Sequence, residues 1–386
     1  MTTQTKCAVI LIISGIVSLS LAGCGVHAST PDLPVAQMMS LAADANAAVA
    51  FFSDMSDVET EHIYESGTRV GSAIDVPVAA SVKQTLDQQW PDNGEAAGRA
   101  LVAAVCPQNE ADISPAQAQI GSQVVVLVAA RKQASHEWAP LDGIARAVTQ
   151  IIVCNMPSLF DAAPRTSLGN TSKATNPAVE LSGQGRQGAN GHWLLSTNAV
   201  VLGTAMQAIA ATTLDTGTLL AAWQRYLTVF LPESVGSDKD SIDALYLHRS
   251  SSPALAAANV TGCTLSFIVD NAMAGIQPND PRSIAVRQSM EAAGLNGISV
   301  AYSAYIQVLA DAGYFAATTV QTLNDEYPAL SIPHPPPGLQ PGVEVDLDAP
   351  GVADWLVTSG IAIADNIISS ANPGLQSDAR FVAPLP

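Results

Sequence analysis

Three groups of carboxylates have spacings that suit chemistry. Glu344, Asp346 and Asp348 alternate within LSIPHPPPGLQPGVEVDLDAP. On an extended strand every second side chain projects to one side. The three would then line an acidic edge that binds Ca²⁺ or a cationic partner, or one kept soluble by its charge. Glu59, Glu61 and Glu65 follow Asp54 and Asp57. An acid pair there would suit glycoside hydrolysis, and a solvated acidic face is the plainer expectation. Asp238, Asp240 and Asp243 begin like a calcium loop, but no Gly at the sixth position or Glu at the twelfth follows, which leaves helix N-capping. Gly183-x-Gly185-x-x-Gly188 has the spacing of a phosphate-cradling loop. Such a loop follows a strand, opens a helix and has an acid about twenty residues on. Here Ala178–Leu181 is short and contains Glu180, and the next acid is Asp215. The segment reads as a flexible glycine loop, with Arg186 a weak anion candidate, and no cofactor is expected. There is no G-x-S-x-G and no S-x-x-K, and the six histidines are scattered with no H-E-x-x-H. No catalytic residue is assigned, and the only metal candidates are Glu344, Asp346 and Asp348.

The most specific chemistry lies at the N-terminus. In MTTQTKCAVILIISGIVSLSLAGCG, Lys6 precedes the uncharged apolar run Cys7–Ser20, and small residues follow. That is the layout of a secretory signal. Leu21-Ala22-Gly23-Cys24 resembles the lipobox of bacterial lipoproteins, a likeness confined to the first two dozen residues. It implies a signal peptide over 1–23, cleavage before Cys24, and acylation of the Cys24 thiol and its new amine. Two or three acyl chains anchor stably where one would not. Residues 24–36 then read as a lipidated tether, and the expected address is a bacterial cell membrane or outer membrane, facing away from the cytoplasm.

Composition narrows the partners. The chain has 386 residues, a formal net charge of −18 and only 13% charged residues. A basic footprint for nucleic acid is absent, and anionic lipid heads would repel the chain, so the anchor must hold it to the membrane. An envelope protein or a small ligand remains as a partner. Two uncharged stretches, 194–214 and 250–269, carry too many Ser, Thr and Asn residues to read as membrane spans and are expected to be buried central helices.

Periodicity predicts a mainly α fold, a bundle-like multi-helix domain with long Gly/Pro-rich loops and little β structure. Helices are expected over Gln37–Phe52, Glu95–Cys106, Pro115–Trp138, Leu141–Met156, His192–Thr213, Asp215–Leu231, Pro253–Met273, Pro281–Ala293, Ile298–Ala312 and from Pro350. The VVVLVAA run inside the third could equally be a buried strand. Asp54–Tyr64 reads as a turn or the start of a helix, and Thr68–Val78 as extended. Residues 37–160 and 192–386 form two helical lobes around a Gly/Ser/Thr-rich loop at 161–191, and 328–350 is a Pro-rich loop. Cys106 and Cys154 each close an apolar run just before a proline, LVAAVCP and IIVCNMP, and are the favoured disulfide. Closing a loop of about fifty residues is worth about 4 kcal/mol in the chain-entropy model. Cys263 is expected to pack as a small hydrophobe.

Overall fold

The computed structural model describes residues 32–64, 73–107, 113–162, 184–188, 191–212, 216–235, 253–276, 280–285 and 288. Through these residues the chain is mainly helical, with two small antiparallel hairpins. Cys24, Glu65, Asp238, Asp240, Asp243, Glu344, Asp346 and Asp348 lie outside the described residues, as do 298–327 and the Pro-rich loop.

The N-terminal helix expected over Gln37–Phe52 is two helices, α1 (Val35–Ala43) and α2 (Ala45–Phe52). Asp44 divides them. It is extended (φ −133°, ψ 98°), and its carboxylate accepts from the Ala47 N–H, so it N-caps α2. Next comes a hairpin where a turn or helix start was expected: β1 (Val58–Tyr64) pairs with β2 (Ala73–Ala79), with Glu61 opposite Val76. Glu61 and Ile63 are buried while Thr60 and His62 are exposed, a period-two pattern that the run of glutamates hides from a hydrophobicity reading.

A short helix not anticipated, α3 (Ala80–Asp87), follows β2 directly. Helix α4 (Glu95–Val105) starts from a turn built by Asn93 (φ 56°) and Gly94 (φ 79°), with Asp92 accepting from the Gly94 and Ala96 N–H groups. The VVVLVAA run is helical, inside α5 (Pro115–Ala134). Ser114 and Gln117 form a reciprocal capping box, and Pro115 fills the first helical position, where its missing N–H costs nothing. Every residue from Ile120 to Ala130 is buried. A helix apolar all round has no face for solvent and must sit inside; α5 is the central element.

Helix α6 (Asp142–Cys154) ends where expected, but Pro157 does not end helical structure. It lies in the first turn of α7 (Met156–Ala162), a position proline tolerates. The helix expected from His192 is displaced: Trp193–Leu194 is strand β4, paired with β3 (Arg186–Gln187), and α8 (Ala199–Ala210) begins only after Asn198 caps it through the Val201 N–H. Helices α9 (Thr216–Val235) and α10 (Pro253–Gly275) follow, and residues 282–285, within the helix expected from Pro281, are helical as well. Among the described residues no helix is long and apolar enough to cross a membrane.

One hydrophobic core takes residues from both sides of the 161–191 segment: Leu127, Ile151, Met206, Trp223 and Ile268 belong to it together. Helix α8 packs on α5 and α10, and α9 on α10 and α6. The two stretches read as lobes thus share their interior.

Helices α4 and α6 run side by side, tied at both ends. At the start, Gly98 faces Gly143 so closely that a Cβ on Gly98 would stand 2.2 Å from the Gly143 carbonyl oxygen. At the finish, Cys106 and Cys154 are bonded to each other, with Cα atoms 5.7 Å apart. Replacing a helical glycine by alanine normally stabilises by about 0.5–1 kcal/mol. Here Gly98→Ala is expected to cost about 2 kcal/mol, because the obstructing atoms are backbone and cannot swing away. A thermal melt checks this: the melting temperature should fall by several degrees, and a rise would show that α4 and α6 are not in contact at this point.

Candidate functional site

The densest polar constellation in the described residues sits where the β1–β2 hairpin meets α3 and α5. The alternation of β1 turns Glu61 inward. Arg131, in the last turn of α5, reaches it with two nitrogens, Nη1 at 2.8 Å and Nη2 at 3.2 Å. The same guanidinium holds Asp87 at the end of α3 through Nε at 2.7 Å and Nη2 at 2.8 Å. Lys83, one turn earlier on α3, pairs with Glu59 and, at 3.1 Å, with Glu61. Three carboxylates and two cations therefore join a hairpin and two helices. The Glu61 and Arg131 side chains are only 11% and 21% exposed, so this pair is shielded from the water that weakens surface bridges, whereas Asp87 and Glu59 are open to it.

The electrostatics count against a general-acid role for Glu61. Burial pushes its carboxyl up, but the hydrogen bonds and charges of Arg131 and Lys83 outweigh this and hold it below the usual range. A glycosidase acid needs the opposite shift. The simple reading of this stretch as a solvated acidic face also needs correction: Glu59 is exposed, but Glu61 is buried and engaged on both sides. Sequence periodicity carried no sign of this, since the two cations come from 22 and 70 residues away.

Helix α5 also satisfies the hairpin's backbone. The Gln133 side-chain amide donates to the Tyr64 carbonyl at 3.0 Å and accepts from the Tyr64 N–H at 2.9 Å. Buried Gln123 accepts from the Ala79 N–H at 3.0 Å. On another side of α5, the Ser122 hydroxyl accepts from the Ser196 N–H, and Ser158 of α7 accepts from the Leu195 N–H. Buried backbone groups leave the ends of both hairpins, and side chains on α5 and α7 meet them.

Among the described residues of the glycine loop, Arg186–Gln187 pair with Trp193–Leu194 as an antiparallel hairpin. The Gly188 N–H donates to the His192 carbonyl, and Gly191 adopts φ 86°. Gly185 packs against α5, where a Cβ would stand 2.5 Å from the Ala118 Cβ. The glycine there serves close approach to a helix. Arg186 pairs with Asp161 of α7, so its charge is already countered and the anion reading does not hold. Across β1 and β2, exposed His62 contacts Asp75 at 2.6 Å. Among the described residues no three His, Cys, Asp or Glu side chains are grouped to hold a metal ion. Cys263 is buried and outside the bridge.

Removing Arg131 is expected to destabilise the fold by about 2 kcal/mol, the low end for a partly buried pair with Lys83 still present. The cost should depend on pH. The depressed Glu61 carboxyl stabilises the fold above its ordinary value of 4.5, and that contribution is lost as pH falls through the lower folded value. Arg131→Met should therefore differ most from the parent at neutral pH and converge on it in acid. Urea unfolding at neutral pH and near pH 3 checks this; a difference independent of pH would contradict the assigned role of Glu61.

Comparison of the chain with protein-family models, with curated proteins and with solved structures returned no match.

Proposed function

We propose that this chain is a bacterial envelope lipoprotein, held to its membrane by acyl groups on Cys24 and acting as a binding or scaffold module. The observation that carries the reading is the order Leu21-Ala22-Gly23-Cys24 directly after an uncharged apolar run. The remaining features are consistent with it. A Cys106–Cys154 disulfide suits an oxidising compartment outside the cytoplasm. The described helices bury their apolar faces in one common core, which leaves attachment to the lipid. The most shielded carboxylate constellation in the described residues joins secondary-structure elements, and its central acid is held ionised. A carboxylate so engaged is a structural link and not a free general acid.

The test is metabolic labelling of the full chain with an alkyne fatty acid, followed by detergent-phase partitioning. The parent should incorporate label and enter the detergent phase, and Cys24→Ser should lose both. A Cys24→Ser chain that still takes up label or partitions with detergent would overturn the proposal.

A further inference from the structure

We infer that the exposed side of α1 and α2 is a membrane-docking face that lies on the lipid surface beside the anchor. The inference rests on the reading of Cys24 as the acylated residue and adds to it which side of the protein meets the bilayer.

The first argument is reach. The Gln88 side chain clamps the Leu33 backbone, accepting from its N–H at 2.7 Å and donating to its carbonyl at 2.9 Å. That fixes where the folded part begins. From Cys24 to Leu33 the chain spans at most about 30 Å, whatever its conformation. An acylated Cys24 at the membrane surface would thus keep α1, which starts two residues later, within about one bilayer core thickness of the headgroups.

The second argument is chemistry. Helices α1 and α2 both pack on α4, with Met38, Leu41, Ala48 and Phe52 turned inward. Their other side exposes Ala36, Met39, Ala43, Ala47 and Ala50, together with the polar Ser40, Asp44 and Asn46. Met39, at 63% exposed, is the most exposed large hydrophobic residue described. From Leu33 to Ser53 the sole charged residue is Asp44, whose carboxylate caps α2. The chain as a whole carries −18, and its acidic surfaces are repelled by anionic headgroups. A nearly uncharged, weakly apolar face next to the tether is the surface that approaches lipid at least cost. Its burial would add to an affinity set mainly by the acyl chains.

The test uses the full acylated chain with Met39→Cys carrying an environment-sensitive nitrobenzoxadiazole dye. The new thiol is selective, since Cys24 would be acylated, Cys106 and Cys154 are bonded and Cys263 is buried. The protein is reconstituted into phosphatidylcholine vesicles containing doxyl-labelled acyl chains, and flotation of each sample reports anchoring. Val229→Cys on α9, 49% exposed, is the comparison site. Dye at position 39 should be quenched several-fold more than dye at 229, with emission shifted to the blue. Adding Ala43→Glu should bring its quenching down toward the 229 level with the melting temperature unchanged. Equal quenching at 39 and 229 in protein that floats would overturn the docking face and leave the anchor standing. Protein that does not float would overturn the anchor and the docking face together.

Discussion

The rest of the structure depends on the burial of α5 on every side. A helix of VVVLVAA character has no polar face, so it can exist only if other elements surround it. The hairpin and α3 cover one side, α4 and α6 another, and α8 comes from beyond the 161–191 segment to cover a third. The few polar side chains on α5 then become constraints. Gln123 and Gln133 inside the protein must find partners, and they find the free backbone groups at the ends of the β1–β2 hairpin. Arg131 near the end of the helix must be neutralised, and Glu61 and Asp87 are turned toward it. Because a buried polar group without a partner costs more than a made hydrogen bond gains, these contacts also fix the register of the hairpin against the helix.

Helices α4 and α6 form the second unit of this logic. Two glycines let them touch backbone to backbone at one end, Glu95 of α4 pairs with Arg146 of α6 nearby, and the disulfide closes the other end. One covalent link and one close backbone contact thus hold the pair whose first helix carries α1 and α2.

Much of the helical architecture could be read from the chain. Length, low charge and the 3.6-residue spacing of apolar positions located α4, α6 and α10, the VVVLVAA run of α5 read equally as a strand, and the matching LVAAVCP and IIVCNMP ends pointed to the two cysteines that are bonded. What escaped has identifiable physical causes. Asp44 divides one apolar run into two helices because its side chain serves better as a cap than as a helical residue. The glutamates of β1 concealed a strand, since their burial depends on Lys83 and Arg131 arriving from elsewhere. The glycine loop shared its spacing with a nucleotide motif, while Gly185 answers to Ala118 of a distant helix. In the last two cases the deciding partner is far away in sequence, where no local pattern registers it.

The central claim is that the chain works outside the cytoplasm as an anchored, oxidised module, and intact mass spectrometry of the protein from its own envelope, without reductant, tests it most directly. The account predicts a chain that starts at Cys24, carries the added mass of acyl groups there, and lacks the two hydrogens of a bonded Cys106–Cys154 pair. A chain that retains residues 1–23, with every cysteine as a thiol and no added lipid, would contradict it.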